Sequence, residues 1–281
     1  MSFLTVFFFS LSFGANATSA HSDQDRMKTV FEWLKKTPSG ALQLKKAQKF
    51  WKVRENDISR YVQWGSVSKT DALISRSIHP ETGKEIRERQ VKVILKKNEA
   101  LVEQILDLAH ELTHAMAKPQ WDPYDPTLTA EKYIGLGIEG DGGEVSAVYQ
   151  ECRVAFELEK LWGESFDRCD RYRGLAPQRM SQRIKNDFYK SGKWKNWLQK
   201  KISSNFFKKI SSQAPELISS TGDLPYPAAL YEEFVEMNQA ACKNTFNRIQ
   251  HERTLASNSL FLKSQIFLKK RCKSLNLTKH P

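Results

Sequence analysis

At 281 residues, 40% of them hydrophobic and 27% charged, the chain has the composition of a soluble globular protein with a sizeable core, built as one large domain or two smaller ones. Its 44 basic and 32 acidic residues leave a formal charge of +12, which favours contact with an anionic polymer such as cell-surface polysaccharide, lipid headgroups or nucleic acid. No zinc finger, RNP-type strand or glycine-rich phosphate loop accompanies that charge, so no specific nucleic-acid module is expected, and solvated helix faces account for most of the lysines.

The strongly apolar stretch stands at the start. Leu4 to Phe13 has the length of a signal-peptide hydrophobic region and is too short to span a bilayer. Small residues follow, with cleavage patterns at Ala15-Asn16-Ala17 and at Thr18-Ser19-Ala20 before His21, although no Lys or Arg precedes the apolar run. We read residues 1–20 as a signal peptide, giving a periplasmic or extracellular protein with no integral membrane segment once the signal is removed. A buried N-terminal strand is the alternative. Four cysteines, Cys152, Cys169, Cys242 and Cys272, suit an exported chain with two disulfides. Cys152–Cys169 with Cys242–Cys272 is the most local of three pairings, and the spacing alone does not decide among them.

Beyond the signal, Met27, Val30, Phe31 and Leu34 recur at helical spacing, and Pro38-Ser39-Gly40 ends that helix. A second helix follows, with Leu42, Leu44, Ala47 and Trp51 as its apolar face. The texture then turns to strands on either side of Pro80-Glu81-Thr82-Gly83, with Val91, Val93 and Leu95 alternating inward. Immediately afterwards Leu101, Ile105, Leu108 and Leu112 mark a helix that Asn98 can cap. A loop through Pro119, Pro123 and Pro126 breaks it. The next clear helix opens after the glycine-rich run Gly137–Gly143 and continues to Trp162. From about Asp170 the pattern is mostly helical, interrupted at Ala214-Pro215 and around Gly222–Pro227. This divides the chain into a core with N-terminal helices over 21–168 and a helical, basic region over 169–281.

The helical stretch Asn98–Ala117 carries the sequence His110-Glu111-Leu112-Thr113-His114. Residues four apart on a helix share a face, so two imidazole nitrogens can meet one metal ion. Glu111, about 100° further round, can reach a water on that metal without itself being a ligand. Zinc makes such a water acidic near neutral pH, and a glutamate base takes its proton as it attacks a carbonyl. Asp107, one turn earlier, either accepts a hydrogen bond from a ligand histidine or faces solvent.

Over roughly Arg87 to Trp162 the chain resembles the zincin metallopeptidases, and among them the gluzincins, whose third ligand is a glutamate. The resemblance implies an α+β fold with a small antiparallel sheet beside the active-site helix and a mostly helical C-terminal half. It further implies an edge strand over Arg89–Leu95 that binds the substrate backbone, and a second helix from Glu144 that supplies the remaining ligand. One Zn2+ per chain and a peptide or protein substrate follow from it. Glu144 is the first choice of third ligand, because Gly142 and Gly143 permit close approach and Ala147 leaves room for helix contact. Glu151, seven residues on, is an alternative ligand or a partner of a ligand, and Glu139 and Asp141 are weaker choices. Tyr149, Tyr226, Tyr231 and His251 are all available to stabilise an oxyanion, and nothing in their spacing selects one. The expected function is an exported zinc-dependent hydrolase, first a peptidase. A cell-wall amidase sharing the same residues, or a non-catalytic protein binding anionic polymers on this fold, are the alternatives.

Overall fold

The computed structural model describes residues 15–79, 81–82, 84–219, 223–251 and 258–272, so most of the expected signal peptide, residues 1–14, lies outside the described residues. The architecture is mixed α+β. In chain order it comprises α1 (Ala15–Lys36), α2 (Pro38–Trp51), β1 (Val62–Gly65), β2 (Lys69–Ile78), β3 (Glu85–Lys96) and α3 (Leu101–Met116). Then come α4 (Ala130–Glu139), α5 (Glu144–Trp162), α6 (Pro177–Phe188), α7 (Trp194–Gln199), α8 (Ser204–Phe207), α9 (Tyr226–His251) and α10 (Asn258–Arg271). Short 3₁₀ segments at Glu55–Tyr61 and Asp167–Tyr172 complete it. No described helix is long and apolar enough to cross a membrane.

Thr37 separates the first two helices by capping the second: its hydroxyl accepts from the Gly40 N–H at 3.1 Å, with Pro38 in the first turn. Gly40 is needed there because a Cβ would come within 2.1 Å of the Leu34 carbonyl oxygen. Leu44 and Ala47 of α2 face inward as expected, but Leu42 is 52% exposed. Gln43 takes the inward position instead, donating to the Ala109 carbonyl at 2.6 Å and to the Thr113 hydroxyl at 3.0 Å. A fully bonded amide can be buried where an unpaired one could not.

The sheet has the order β1-β3-β2 and differs from expectation in two ways. It is not wholly antiparallel: β1 runs parallel to β3 from Val62↔Val93, while β2 pairs antiparallel with β3 from Lys69↔Ile94 to Ile78↔Glu85. And β3, containing the expected edge strand, is central. The physical reason is its apolar alternation. Val91, Val93 and Leu95 are buried beneath α3, and a strand buried this deeply is best placed where both of its hydrogen-bonding edges are paired. The outer strand beside α3 is β2, which begins with Lys69-Thr70-Asp71 and exposes Leu73 and Ile74.

One continuous set of buried side chains runs from Met27 to Ala228 and draws on both sides of residue 168. The Cys152–Cys169 disulfide crosses that point, while Tyr172, Ile184 and Phe188 pack into the same core. A smaller cluster of Ala241, Cys242, Phe267 and Cys272, tied by the Cys242–Cys272 disulfide, joins the far half of α9 to α10. Both disulfides follow the most local pairing.

Helix α4 is a finding beyond the sequence reading. Thr129 caps it by accepting from the Lys132 N–H at 3.2 Å, and it ends in Glu139. Partial burial pushes the Glu139 carboxyl up, but Lys185, the Tyr189 hydroxyl at 2.6 Å and Lys209 at 3.1 Å outweigh it and hold it at about 2. A carboxyl held below its unfolded value stabilises the fold above that value, near 4.5, and loses this contribution as pH falls toward 2. Glu139→Gln is therefore expected to cost about 1–3 kcal/mol in urea unfolding at pH 7 and to flatten the stability profile between those two pH values. Wild-type stability in the variant at pH 7 would contradict this role.

Candidate metal centre

Helix α3 leaves β3 through a tight turn. No side chain caps it, Asn98 included; Ala100 occupies the capping position. The turn is instead held by Gln104, whose amide donates to the Lys96 and Lys97 carbonyls at 3.1 and 2.8 Å and accepts from Arg26 at 2.8 Å. Ile105, Leu108, Ala109, Leu112 and Ala115 are fully buried, which fixes the rotation of the helix. That rotation turns His110, Glu111 and His114 toward β2 and the start of α5.

The start of α5 is placed by glycine. Gly142 has φ 66°, and a Cβ on it would lie 2.1 Å from the Ala117 Cβ, so only glycine lets this turn rest on the end of α3. In that position its carbonyl accepts a hydrogen bond from His114 Nδ1 at 2.8 Å. Two residues later Glu144 opens α5 with its carboxylate against both imidazoles: Oε2 is 3.5 Å from His110 Nε2 and Oε1 is 3.7 Å from His114 Nε2. His110, His114 and Glu144 thus present ligand atoms that all lie within 4.8 Å of one another.

The hydrogen bonds determine which nitrogens carry protons. A carbonyl can only accept, so His114 Nδ1 must be the donor to Gly142, which leaves the Nε2 of a neutral ring as a lone pair. His110 Nδ1 faces the Glu151 carboxylate at 2.8 Å, with the same consequence. The two Nε2 atoms stand 3.0 Å apart, and Glu144 Oε2 is buried with no hydrogen-bond partner. Lone pairs converging in this way call for a cation. Burial alone would lower the His110 pKa, yet Glu144 and Glu151 outweigh it and hold the ring well above its ordinary value. The pocket therefore stabilises positive charge at this point. Two imidazole nitrogens and a carboxylate oxygen fit zinc, with a fourth position left for water, and the three side chains keep 14–20% exposure.

Glu111 is 8% exposed. The Thr70 hydroxyl, on β2, sits 2.8 Å from both its Oε2 and its backbone carbonyl. Burial pushes the Glu111 carboxyl up, and this exceeds the opposing pull of His110, His114 and Thr70. It is thereby held as a stronger base than a solvated glutamate.

Asp107 departs from both roles first considered for it, while Glu151 stands in the second of its two. Asp107 neither bonds a histidine nor faces solvent: it is 7% exposed, with Oδ1 2.7 Å from Arg168 and Oδ2 bonded by the Ser68 hydroxyl. Glu151 lies behind His110, on the side away from the converging nitrogens, with its second oxygen 2.6 Å from Arg168 Nε. Its oxygens are taken by His110 and Arg168, an arrangement that fixes the plane of the imidazole. Arg168 was not singled out by the sequence; its one signal is that it precedes Cys169 as Glu151 precedes Cys152. Among the tyrosines, Tyr226 faces Glu144, and burial together with Glu144, Glu111 and Glu151 pushes its phenol up. Tyr149 instead lines a groove behind α5, and Tyr231 packs edge-on against Trp197. His251 closes α9 at the opposite end from Tyr226, about 37 Å along the helix.

Comparisons with protein-family models, curated protein sequences and solved structures give no match. The assignment therefore rests on geometry. Purified chain is expected to hold about one zinc by elemental analysis, lost in His114→Ala and in Glu144→Ala; zinc retained in Glu144→Ala would remove it from the ligand set. Gly142→Ala, which leaves every ligand in place, should weaken zinc binding because the added methyl displaces the carbonyl that orients His114.

Proposed function

We propose that this chain is an exported single-zinc hydrolase of zincin type that cleaves amide bonds in peptides or proteins. The observation that carries the reading is the convergence of His110 Nε2, His114 Nε2 and Glu144, with both Nδ1 atoms committed elsewhere and Glu111 alongside. The two disulfides and the signal-like N-terminus support export.

Bound there, zinc would supply a Lewis acid that polarises a carbonyl and acidifies a coordinated water. Glu111 accepts the proton of the attacking water and returns it to the leaving amine; Thr70 holds its carboxylate in place for both transfers. The outer edge of β2 has no strand partner among the described residues and leads to Thr70, so an extended substrate can add to the sheet beside the base. Of the candidate donors Tyr226 faces Glu144, and we assign to it the hydrogen bond to the oxygen that becomes negative as the carbonyl turns tetrahedral.

A cell-wall amidase would use the same residues. Its supporting observation is the groove behind α5, where Lys46, Lys49 and Arg153 surround Leu42, Phe50 and Tyr149, a surface suited to an anionic polymer. Parallel assays on peptides and on peptidoglycan fragments separate the two substrates. A purely binding role has no use for a buried carboxylate with a raised pKa next to the ligand histidines.

Glu111→Gln should abolish turnover while zinc stays bound, and turnover in that variant would remove the mechanism. Tyr226→Phe should lower kcat by about 10²-fold with zinc content unchanged, as removal of one oxyanion donor does elsewhere. An unchanged kcat would return Tyr226 to a packing role.

A further inference from the structure

We propose that Arg168, brought into place by the Cys152–Cys169 disulfide, is a positioning residue for the metal centre, so that the site acquires full zinc affinity only in the oxidised chain. The inference rests on the zinc reading above and concerns a group outside the histidine motif.

The disulfide joins α5 to the 3₁₀ segment Asp167–Tyr172. In each segment the residue just before the cysteine belongs to the centre: Glu151 before Cys152 and Arg168 before Cys169. The cross-link therefore sets the two side chains next to each other. Arg168 meets Glu103 and Asp107 at 2.7 Å and Glu151 at 2.6 Å, which ties α3 to α5 through one guanidinium. It occupies one oxygen of Glu151, and the other oxygen receives His110 Nδ1. Both ends of the carboxylate are thus fixed, and with them the plane of the imidazole and the direction of its Nε2 lone pair. Partners that orient a ligand histidine in this way typically contribute 10–100-fold in metal affinity.

Reduction by a dithiol transfers two electrons and two protons to the bond, giving two cysteine thiols and an oxidised reagent. The thiols must stand a van der Waals distance apart, and both cysteines are completely buried in the close-packed core. The segment around Cys169 has to move, carrying Arg168 with it. Its other anchors lie on either side, where Glu159 accepts from the Phe166 N–H at 2.8 Å and bonds Arg173. The connection to α6 thus stays folded while the guanidinium loses its register. Reduction also releases a competing group, since Glu151, Cys152 and Cys169 place ligand atoms within 4.8 Å of one another.

The test measures zinc affinity by chelator competition, and the cobalt(II) absorption spectrum, in purified wild type, Arg168→Met, Arg168→Lys and Cys152→Ala/Cys169→Ala. Cys242→Ala/Cys272→Ala serves as control for disulfide loss elsewhere. The expected result is a loss of about 10- to 100-fold in Arg168→Met and in Cys152→Ala/Cys169→Ala, partial rescue in Arg168→Lys and no change in the control. Wild-type affinity in both Arg168→Met and the Cys152 pair would overturn the proposal while leaving the zinc site intact. No zinc in the wild type would overturn the underlying function instead. Should the Cys152 pair fail to fold, dithiol treatment of cobalt-loaded wild type decides the matter. Loss of the imidazole-site spectrum, or its replacement by a sulfur-to-cobalt charge-transfer band, supports the proposal, and an unchanged spectrum overturns it.

Discussion

A carboxylate taken out of water has to be met by positive charge or by hydrogen bonds, and the interface between α3 and α5 buries several at once. Asp107, Glu111 and Glu151 are almost wholly covered there, and Glu144 is largely so. Leaving one such charge unmatched costs about 3–5 kcal/mol in a buried pair, a large fraction of the net stability of a domain. The structure answers with two cationic positions. Arg168 takes the outer part of the interface, bridging Asp107 and Glu151. The inner part, between Glu144 and the two Nε2 atoms, is where the metal ion we propose would complete the balance. Fold and site are thus solutions to one electrostatic problem.

Meeting that requirement explains features with no other evident purpose. The glycine turn before α5 brings a backbone carbonyl to His114 that no residue with a side chain could present from that distance. Gln104 holds the β3–α3 turn by its own amide, so the register of the histidines is set from the sheet. Thr70 extends from β2 to the Glu111 carboxylate and joins the outer strand to the base. Each group that touches a histidine or the base lies on a helix, a strand or a tight turn bound to one. A site carried on such elements holds its geometry without rearrangement, which the hydrolase proposed above would require.

The mixed sheet changes how a substrate would approach. With β3 at the centre, the strand offered to solvent beside α3 is β2. Its first residues are polar and its middle exposes Leu73 and Ile74, so an extended chain lying along it would find both backbone partners and apolar contacts. The groove with exposed Lys46, Lys49 and Arg153 lies on the reverse of α5 and carries part of the positive charge evident from composition.

What the sequence by itself determined was whatever depends on spacing along one element. The helical period through Leu101–Leu112 sets His110 and His114 on one face, Glu144 opens α5 where the glycine run ends, and the alternation of Val91, Val93 and Leu95 marks an inward strand face. Helix α4 was legible in principle from Thr129 as a cap, but the glycines around it obscured its period. The tertiary structure alone decided the rest. Asp107 and Glu151 both meet Arg168, which arrives from a segment beyond α5, and only the folded geometry gives Glu151, and not Asp107, the contact with His110. Strand order, too, depends on which edges are covered by other chain segments. Periodicity acts between near neighbours in the chain, whereas the matching of buried charge depends on groups brought together from far apart, and their distances exist only once the chain has folded.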